Sequence, residues 1–311
     1  MKEKVLLTEP IYEQGVEILE EETEVVRATA HDEGTIREEI GDCAGVIIRK
    51  AHITEEIIDS APKLKVIAKH GVGVDNIALD AAKREGIAVV NAPQSNIHSV
   101  AEHTLGLTLA VAKNLINTDR EVRERQFETR GEQIGTEIRG KTVGIIGLGT
   151  IGQLLVRLLQ PFGVEVLAFD AYQEETELEV ELVDNIEEIY LKADIISLHV
   201  PLKEETEGMV GAEEFNMMKD SAIFINAARG GLVREGDLVA ALKSGEIKGA
   251  GLDVYKEEPP SADNPLFELE NVVLSPHNAA LTEAAMRKMA TGSARGVVDV
   301  LRGNEPKYRV V

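Results

Sequence analysis

The sequence predicts an α/β protein of two parallel-sheet domains, one inserted into the other. Three observations carry that expectation. Short apolar runs alternate with helical patterns along most of the chain; a glycine-rich turn, Gly147-Leu148-Gly149-Thr150-Ile151-Gly152, joins a strand pattern to a helix pattern; and the strand candidates are too many for one sheet of ordinary width. With 311 residues the chain has room for two cores.

Val5, Leu6 and Leu7 open the alternation as a strand, followed by a helical pattern over 13–21, the pair Val25-Val26 and a second helical pattern over 34–40. Val46, Ile47 and Ile48 form the next apolar run, and Thr54 stands where it would cap a short helix over 55–60. Val66 to Ala68, a helix over 77–84 and Val89-Val90 complete a small βα domain, with Pro62 and Pro93 in its later turns. At Ser99 the texture changes. Ser99 and Glu102 have the S-x-x-E spacing of a capping box and open one long helical stretch over 100–125, apolar nearly all round at first and charged at its end. Beyond the glycine turn lie the apolar runs Ile195–Leu198, 222–225, Gly249–Leu252 and Val272–Leu274; Thr282 then caps a final helix toward Leu301. The economical division gives residues 1–98 and 287–311 to one discontinuous domain and 99–286 to the other, with a cleft between them for a small substrate beside a cofactor.

The stretch 142–170 reads as strand, glycine turn, helix, strand. Gly147 permits the tight turn, Gly149 lets backbone approach a pyrophosphate, and Gly152 lets helix and strand pack closely. The helix N-terminus adds unpaired N–H groups and a partial positive charge. Asp170 closes the second strand 18 residues past Gly152. Its carboxylate can accept both hydroxyls of an adenosine ribose and would repel a 2′-phosphate, so NAD is expected rather than NADP.

A net charge of −22 argues against nucleic acid and anionic membrane surfaces as partners, and requires a local positive cluster wherever an anionic substrate binds. Cys43 is the only cysteine, so no intrachain disulfide can form. The first residues are too polar for a signal-peptide core, and no stretch approaches the roughly 18 apolar residues of a membrane span. A cytoplasmic enzyme is expected. His98 and His103 miss the i, i+4 spacing that puts two ligands on one helical face, and no HExxH occurs, so no catalytic metal is expected.

Three apolar runs of the second half end in chemically distinctive residues: Asn226-Ala227-Ala228-Arg229, Asp253 with Glu258 just beyond, and Ser275-Pro276-His277-Asn278. In open α/β sheets ligands bind outside the carboxyl ends of the strands, so these endings would converge. Together they supply what hydride transfer to a 2-keto acid needs. A guanidinium grips the carboxylate and polarises the keto oxygen, a histidine donates the proton to that oxygen, and a glutamate favours the imidazolium.

Over nearly its whole length the chain resembles the D-isomer-specific 2-hydroxyacid dehydrogenases, through KHGVGVDNI, VVNAPQSNIHSVAEHTL, GLGTIG with Asp170, LHVPL, NAARGGLV, AGLDVYKEEPP and SPHNAAL. The resemblance implies a Rossmann-type doubly wound NAD domain inserted into a smaller flavodoxin-like α/β substrate domain. It implies that Arg229 binds and polarises the substrate, that His277 is the acid/base and that Glu258 is its partner. Cofactor contacts are implied for Val72, Gly147, Gly149, Thr150, Ile151, Gly152, Asp170, His199, Val200, Pro201, Ala227, Ala228, Arg229, Asp253, His277 and Ala279. Backbone N–H groups near Val72 and Gly73 would hold the substrate carboxylate. Within the family the likeness is strongest to the members that oxidise D-3-phosphoglycerate, where Arg49 and Lys69 would sit near the phosphate; glyoxylate/hydroxypyruvate reductases and D-lactate-type enzymes are the alternatives. Lys69-His70 replaces the usual arginine and small residue, and Asn278 follows the histidine where an apolar residue is commoner. His70 either meets the substrate or shapes its loop. No regulatory domain is expected after the final helix, nor feedback through one. Family members are usually dimers through the cofactor domain, which implies a homodimer here. An NAD(H)-sensing corepressor-like protein is the reading from another class, disfavoured by the intact catalytic set.

Overall fold

Each apolar run of the first 90 residues becomes a strand and each amphipathic stretch between them a helix. A computed structural model describes residues 2–129, 131 and 134–311. The elements there are β1 (Glu3–Leu7), α1 (Glu13–Glu22), β2 (Thr23–Arg27), α2 (Glu33–Glu39), β3 (Cys43–Ile48), α3 (Glu55–Asp59), β4 (Val66–Lys69), α4 (Leu79–Arg84) and β5 (Ala88–Val90). Next come α5 (Ile97–Ala112), α6 (Leu115–Arg123), β6 (Thr142–Ile146), α7 (Thr150–Leu159), β7 (Glu165–Phe169), β8 (Glu181–Leu182), α8 (Ile186–Lys192), β9 (Ile195–Leu198), α9 (Ala212–Met217), β10 (Ile223–Asn226), α10 (Glu235–Ser244), β11 (Gly249–Leu252), β12 (Val272–Leu274) and α11 (Glu283–Leu301).

The chain divides into two compact units, Met1–Ile97 with Ala280–Val311, and His98–Ala279. The first holds a parallel sheet in the order β2-β1-β3-β4-β5, the flavodoxin-like order. β3 is buried along its whole length because helices cover both of its faces. On one face Leu6, Val46, Ile48, Ile67 and Val89 pack with Ile36, Ile57 and Ala81. On the other, Val5, Ile47, Val66 and Val90 pack with Val16 and Leu19 of α1 and Ala294, Val297 and Val298 of α11. Residues 308–311 run antiparallel along β5, with Val310 N–H donating to Val89 O at 2.7 Å.

The second unit holds a seven-stranded parallel sheet, β12-β11-β10-β9-β6-β7-β8. Its order reverses between β6 and β9, the doubly wound Rossmann arrangement with its switch point at the end of β6.

Several local expectations are corrected. The units part at 97/98 and 279/280, whereas the sequence placed the second crossing at 286/287; Ala285 and Met289 of α11 pack on Ala92 of the first unit, which draws the boundary earlier. Ser99 caps nothing: α5 begins at Ile97, and the Ser99 hydroxyl donates to Ala279 O. The long helix is two, α5 and α6, parted at Asn114, whose φ of 51° lies in the left-handed region. Thr54 occupies the N-cap position of α3, but its hydroxyl donates to Glu33 Oε1 at 2.9 Å. Thr282 does cap α11, accepting from Ala285 N–H at 3.3 Å. Among the described residues no helix is long and apolar enough to cross a membrane.

Candidate active site

All seven strands of the second sheet are parallel, so their carboxyl ends share one edge, and most of the expected site residues stand there. At the end of β6, Gly147 has φ of 97°, and a Cβ on it would lie 2.8 Å from the backbone of His199. A Cβ on Gly152 would lie 2.3 Å from Gly147 O. Both positions are therefore closed to side chains by backbone. Gly149 is different: its φ is −67°, and a Cβ there would meet nothing within 4 Å. It is the N-cap of α7, brings no side chain to satisfy the first N–H groups, and faces open space. That is the cradle a pyrophosphate needs, and the residues present fit a dinucleotide.

Asp170 follows β7 directly. Its Oδ2 accepts from Leu148 N–H at 2.7 Å and its Oδ1 from Tyr172 N–H at 2.9 Å. The carboxylate thus also ties down the glycine turn, with a further lone pair on each oxygen for ribose hydroxyls. His199, at the end of β9, exchanges a hydrogen bond with Ser197 Oγ at 2.9 Å, and burial pushes its pKa down to about 4, so it stays neutral. Val200, Pro201, Ala227 and Ala228 lie in the loops after β9 and β10, on the same edge.

β10 ends in Asn226, whose side chain organises the next turn: Nδ2 donates to Arg229 O at 2.9 Å and Oδ1 accepts from Ala228 N–H at 3.0 Å. Arg229 Nη1 donates to Ala228 O at 2.7 Å. A Cβ on Gly230 would overlap Tyr255 O at 1.9 Å, so the loops after β10 and β11 are in backbone contact. In the second of them Glu258 Oε1 accepts from Tyr255 N–H at 3.1 Å, and Oε2 lies 2.5 Å from His277 Nδ1. Burial pushes the Glu258 carboxyl up, but the hydrogen bond and charge of His277 and the Tyr255 N–H outweigh it and hold it below the usual range. An ionised Glu258 only accepts, so Nδ1 carries the proton and Nε2 is the atom left to face a substrate. His277 itself has φ of 52°, in the region that residues with a Cβ avoid.

Residues read from the sequence in other roles support this dyad. Asp253 is fully buried: Oδ1 accepts from Ser275 Oγ at 2.5 Å and Asn278 N–H at 2.9 Å, and Oδ2 from Ala279 N–H at 2.9 Å. Burial pushes its carboxyl up; the bonds from His103, Ser275, Ala279 and Asn278 prevail and hold it down. His103, considered in the sequence only as a metal ligand, reaches Ser275 Oγ at 2.9 Å. No spacing rule finds a pair 172 residues apart.

The remaining expected residues lie in the first unit, after β3 and β4. Lys69 Nζ donates to Arg49 O and to Asn76 Oδ1, both at 2.7 Å, and Arg49 Nη1 donates to Pro10 O at 3.1 Å. Glu9, unnoticed in the sequence, takes the N–H groups of Arg49, Lys50 and Ala51 on its carboxylate. His70 is 5% exposed with no hydrogen-bond partner at Nε2 among the described residues, and burial, then the Arg49 charge, push its pKa down to about 4. Val72 O accepts from Asn91 Nδ2 at 2.8 Å, and Gly73 follows in the same turn. Among the described residues no group of three or more metal-ligating side chains occurs.

A family model described as D-isomer specific 2-hydroxyacid dehydrogenase, NAD binding domain, matches residues 105–279. D-3-phosphoglycerate dehydrogenase of Methanocaldococcus jannaschii is 44% identical over 304 residues, which make up 96% of this chain and 58% of that protein. The chain therefore spans little more than half the length of such relatives. Glyoxylate reductase of Korarchaeum cryptofilum is 36% identical over 316 residues, 98% of this chain and 95% of that protein. Among solved structures, D-lactate dehydrogenase of Aquifex aeolicus, complexed with NAD and lactic acid, superposes with a TM-score of 0.89 at 28% identity over 99% of each chain.

Proposed function

Because the chain belongs to the D-isomer-specific 2-hydroxyacid dehydrogenase family, we propose that it interconverts a D-2-hydroxy acid and its 2-keto acid with NAD as cofactor. The observation that carries this reading is the Glu258–His277 pair, 2.5 Å apart on the sheet edge that also presents the open Gly149 cradle. Gly147, Gly149, Gly152 and the first residues of α7, Thr150 and Ile151, would hold the pyrophosphate, and Asp170 the ribose hydroxyls. NAD, when bound, accepts or supplies the hydride.

The chain's own groups account for the rest. Arg229 binds the substrate carboxylate and polarises the oxygen on C2. In the reducing direction His277 Nε2–H gives its proton to that oxygen as negative charge develops there; in the oxidising direction the neutral ring takes it back. Glu258 keeps the Nδ1 proton in place and stabilises the imidazolium, so one geometry serves both directions.

D-3-phosphoglycerate and 3-phosphohydroxypyruvate are the proposed pair, which would place the reaction at the entry to serine synthesis. In that reading Val72 and Gly73 hold the substrate carboxylate and Arg49 and Lys69 the phosphate. The glyoxylate reductase likeness, covering 95% of that relative, favours glyoxylate or hydroxypyruvate as the second reading. Residues 1–97 together with 280–311 are proposed as the substrate-binding domain, and the cytoplasm as the compartment. A homodimer is proposed through the second unit, where Leu115, Ile116, Val122, Phe127 and Ile134 stand exposed.

Initial rates of NADH oxidation with 3-phosphohydroxypyruvate, hydroxypyruvate and glyoxylate, measured side by side, decide the substrate. Preference for the phosphorylated acid, with KM for it alone raised in an Arg49→Ala Lys69→Ala variant, supports the first reading. Preference for the unphosphorylated acids supports the second, and turnover of none of them would sink both.

A further inference from the structure

Asp253 belongs to neither the glycine turn nor the dyad, yet it is the most deeply buried carboxylate at this sheet edge, with 0% exposure. The two N–H groups it holds, of Asn278 and Ala279, immediately follow His277. They close a turn whose central residue has φ of 52°, a conformation that a histidine does not adopt by preference. A buried carboxylate gripping both amides therefore selects the turn that delivers His277 Nδ1 to Glu258.

What holds Asp253 can be read from the protons. The ionised carboxylate only accepts, so the single Ser275 hydroxyl proton goes to Asp253 Oδ1 at 2.5 Å. Ser275 Oγ is then an acceptor toward His103 Nε2 at 2.9 Å, which makes Nε2 the protonated nitrogen of that ring. Nε2 also stands 3.4 Å from Asp253 Oδ1 itself. Tyr255 holds the other side of Ser275, donating its hydroxyl to Ser275 O at 3.0 Å. The donors run in one direction, from His103 on α5 through Ser275 to Asp253, and a residue without a donor at 103 leaves Ser275 Oγ short of one bond and free to turn away from Asp253.

We propose that His103 is a positioning residue for the reaction, fixing the His277 turn through Ser275 and Asp253. Its kinetic consequence rests on the dehydrogenase reading; its structural consequence does not. The test uses the full chain with His103→Leu, His103→Gln and Ser275→Ala. Two quantities are measured: kcat and KM with whichever 2-keto acid the unaltered protein reduces, and hydrogen exchange of the Asn278 and Ala279 amides without substrate. His103→Leu should lower kcat about 10-fold or more while KM stays within about threefold, since a misplaced proton donor costs rate rather than binding. Exchange at Asn278 and Ala279 should quicken at least about tenfold, with the β6 amides unchanged. Ser275→Ala should behave like His103→Leu, and His103→Gln, which keeps an N–H donor, should recover most of both losses.

Normal kcat and normal protection in His103→Leu overturn the proposal. So does a Gln variant as impaired as the Leu variant, because packing rather than the donor would then be at issue. Should His103→Leu fail to fold, the other pair decides: Ser275→Ala behaving like the unaltered protein overturns the proposal, and an impaired Ser275→Ala beside a near-normal His103→Gln sustains it. If the unaltered protein reduces no 2-keto acid, the dehydrogenase reading fails, and the exchange measurement alone decides the positioning role.

Discussion

The glycine turn yields a prediction with two arms that move in opposite directions. At Gly152 an added methyl would sit 2.3 Å from Gly147 O and 3.3 Å from Ile145 Cγ2. Ordinary contact begins near about 3.5 Å, so backbone must move by about 1 Å at the tightest turn of the unit. Overpacking of that kind costs about 1–3 kcal/mol, and a domain of this size loses roughly 2–4 °C per kcal/mol, so Gly152→Ala should melt roughly 2–12 °C lower. At Gly149 the same methyl meets nothing within 4 Å, and φ of −67° suits alanine. Losing glycine at the N-cap costs up to about 1 kcal/mol, while the lower entropy of the unfolded chain returns about 0.4–1 kcal/mol, so the melting temperature should barely change. The methyl does fill the space that a pyrophosphate would occupy. Loss of a single charge-assisted hydrogen bond at about 1.5–3 kcal/mol weakens NADH on the order of 10- to 100-fold. Fluorescence titration with NADH and thermal melts of both variants are the assays. NADH binding unchanged in Gly149→Ala would refute the cradle, and a Gly152→Ala variant as stable as the unaltered protein would refute the steric argument.

Two further outcomes follow from the same structure. His277→Gln should lower kcat by about 10²–10⁴; a loss under about tenfold would mean that another group delivers the proton. His70 has a folded pKa of about 4 against an ordinary 6.5, so between those values the unfolded chain binds a proton that the native chain does not. The stabilisation is complete above the ordinary value and is lost as pH falls toward the folded one, amounting to about 2 kcal/mol between roughly pH 7 and pH 5. Urea denaturation of the unaltered protein and of His70→Gln at those two pH values measures it. Equal losses in both proteins would show that His70 does not titrate in this way.

The legible parts of this molecule were those governed by local sterics. The backbone geometry at Gly147, Gly149 and Gly152 follows from spacing alone, because a strand, a turn and a helix N-terminus in succession leave the backbone few alternatives. The Glu258–His277 pairing was legible from strand ends, since parallel strands deliver their endings to one edge. What escaped was every contact made by a short polar side chain with a distant partner. Ser99 matches a capping pattern, yet its hydroxyl finds Ala279 O across 180 residues. Glu9 reads as an ordinary loop acid, yet three consecutive backbone N–H groups close on it some 40 residues later. The break at Asn114 had a local signal in the polar Lys113-Asn114 pair inside an apolar stretch, because asparagine tolerates the left-handed conformation; the apolar periodicity on either side obscured it.

The interrupted connectivity of the first unit sets an order of events at the ribosome. Domains usually fold as they emerge, the N-terminal one first. Here β1, β3, β4 and β5 are synthesised early, but α11, which shares with α1 the covering of one face of their sheet, is made only after residues 98–279. Residues 98–279 form a continuous unit and can close their own core as soon as they leave the exit tunnel. The first-made unit is thus finished after the second, and until Ala294, Val297 and Val298 arrive, Val5, Ile47 and Val66 offer a sheet face covered only by Val16 and Leu19 of α1.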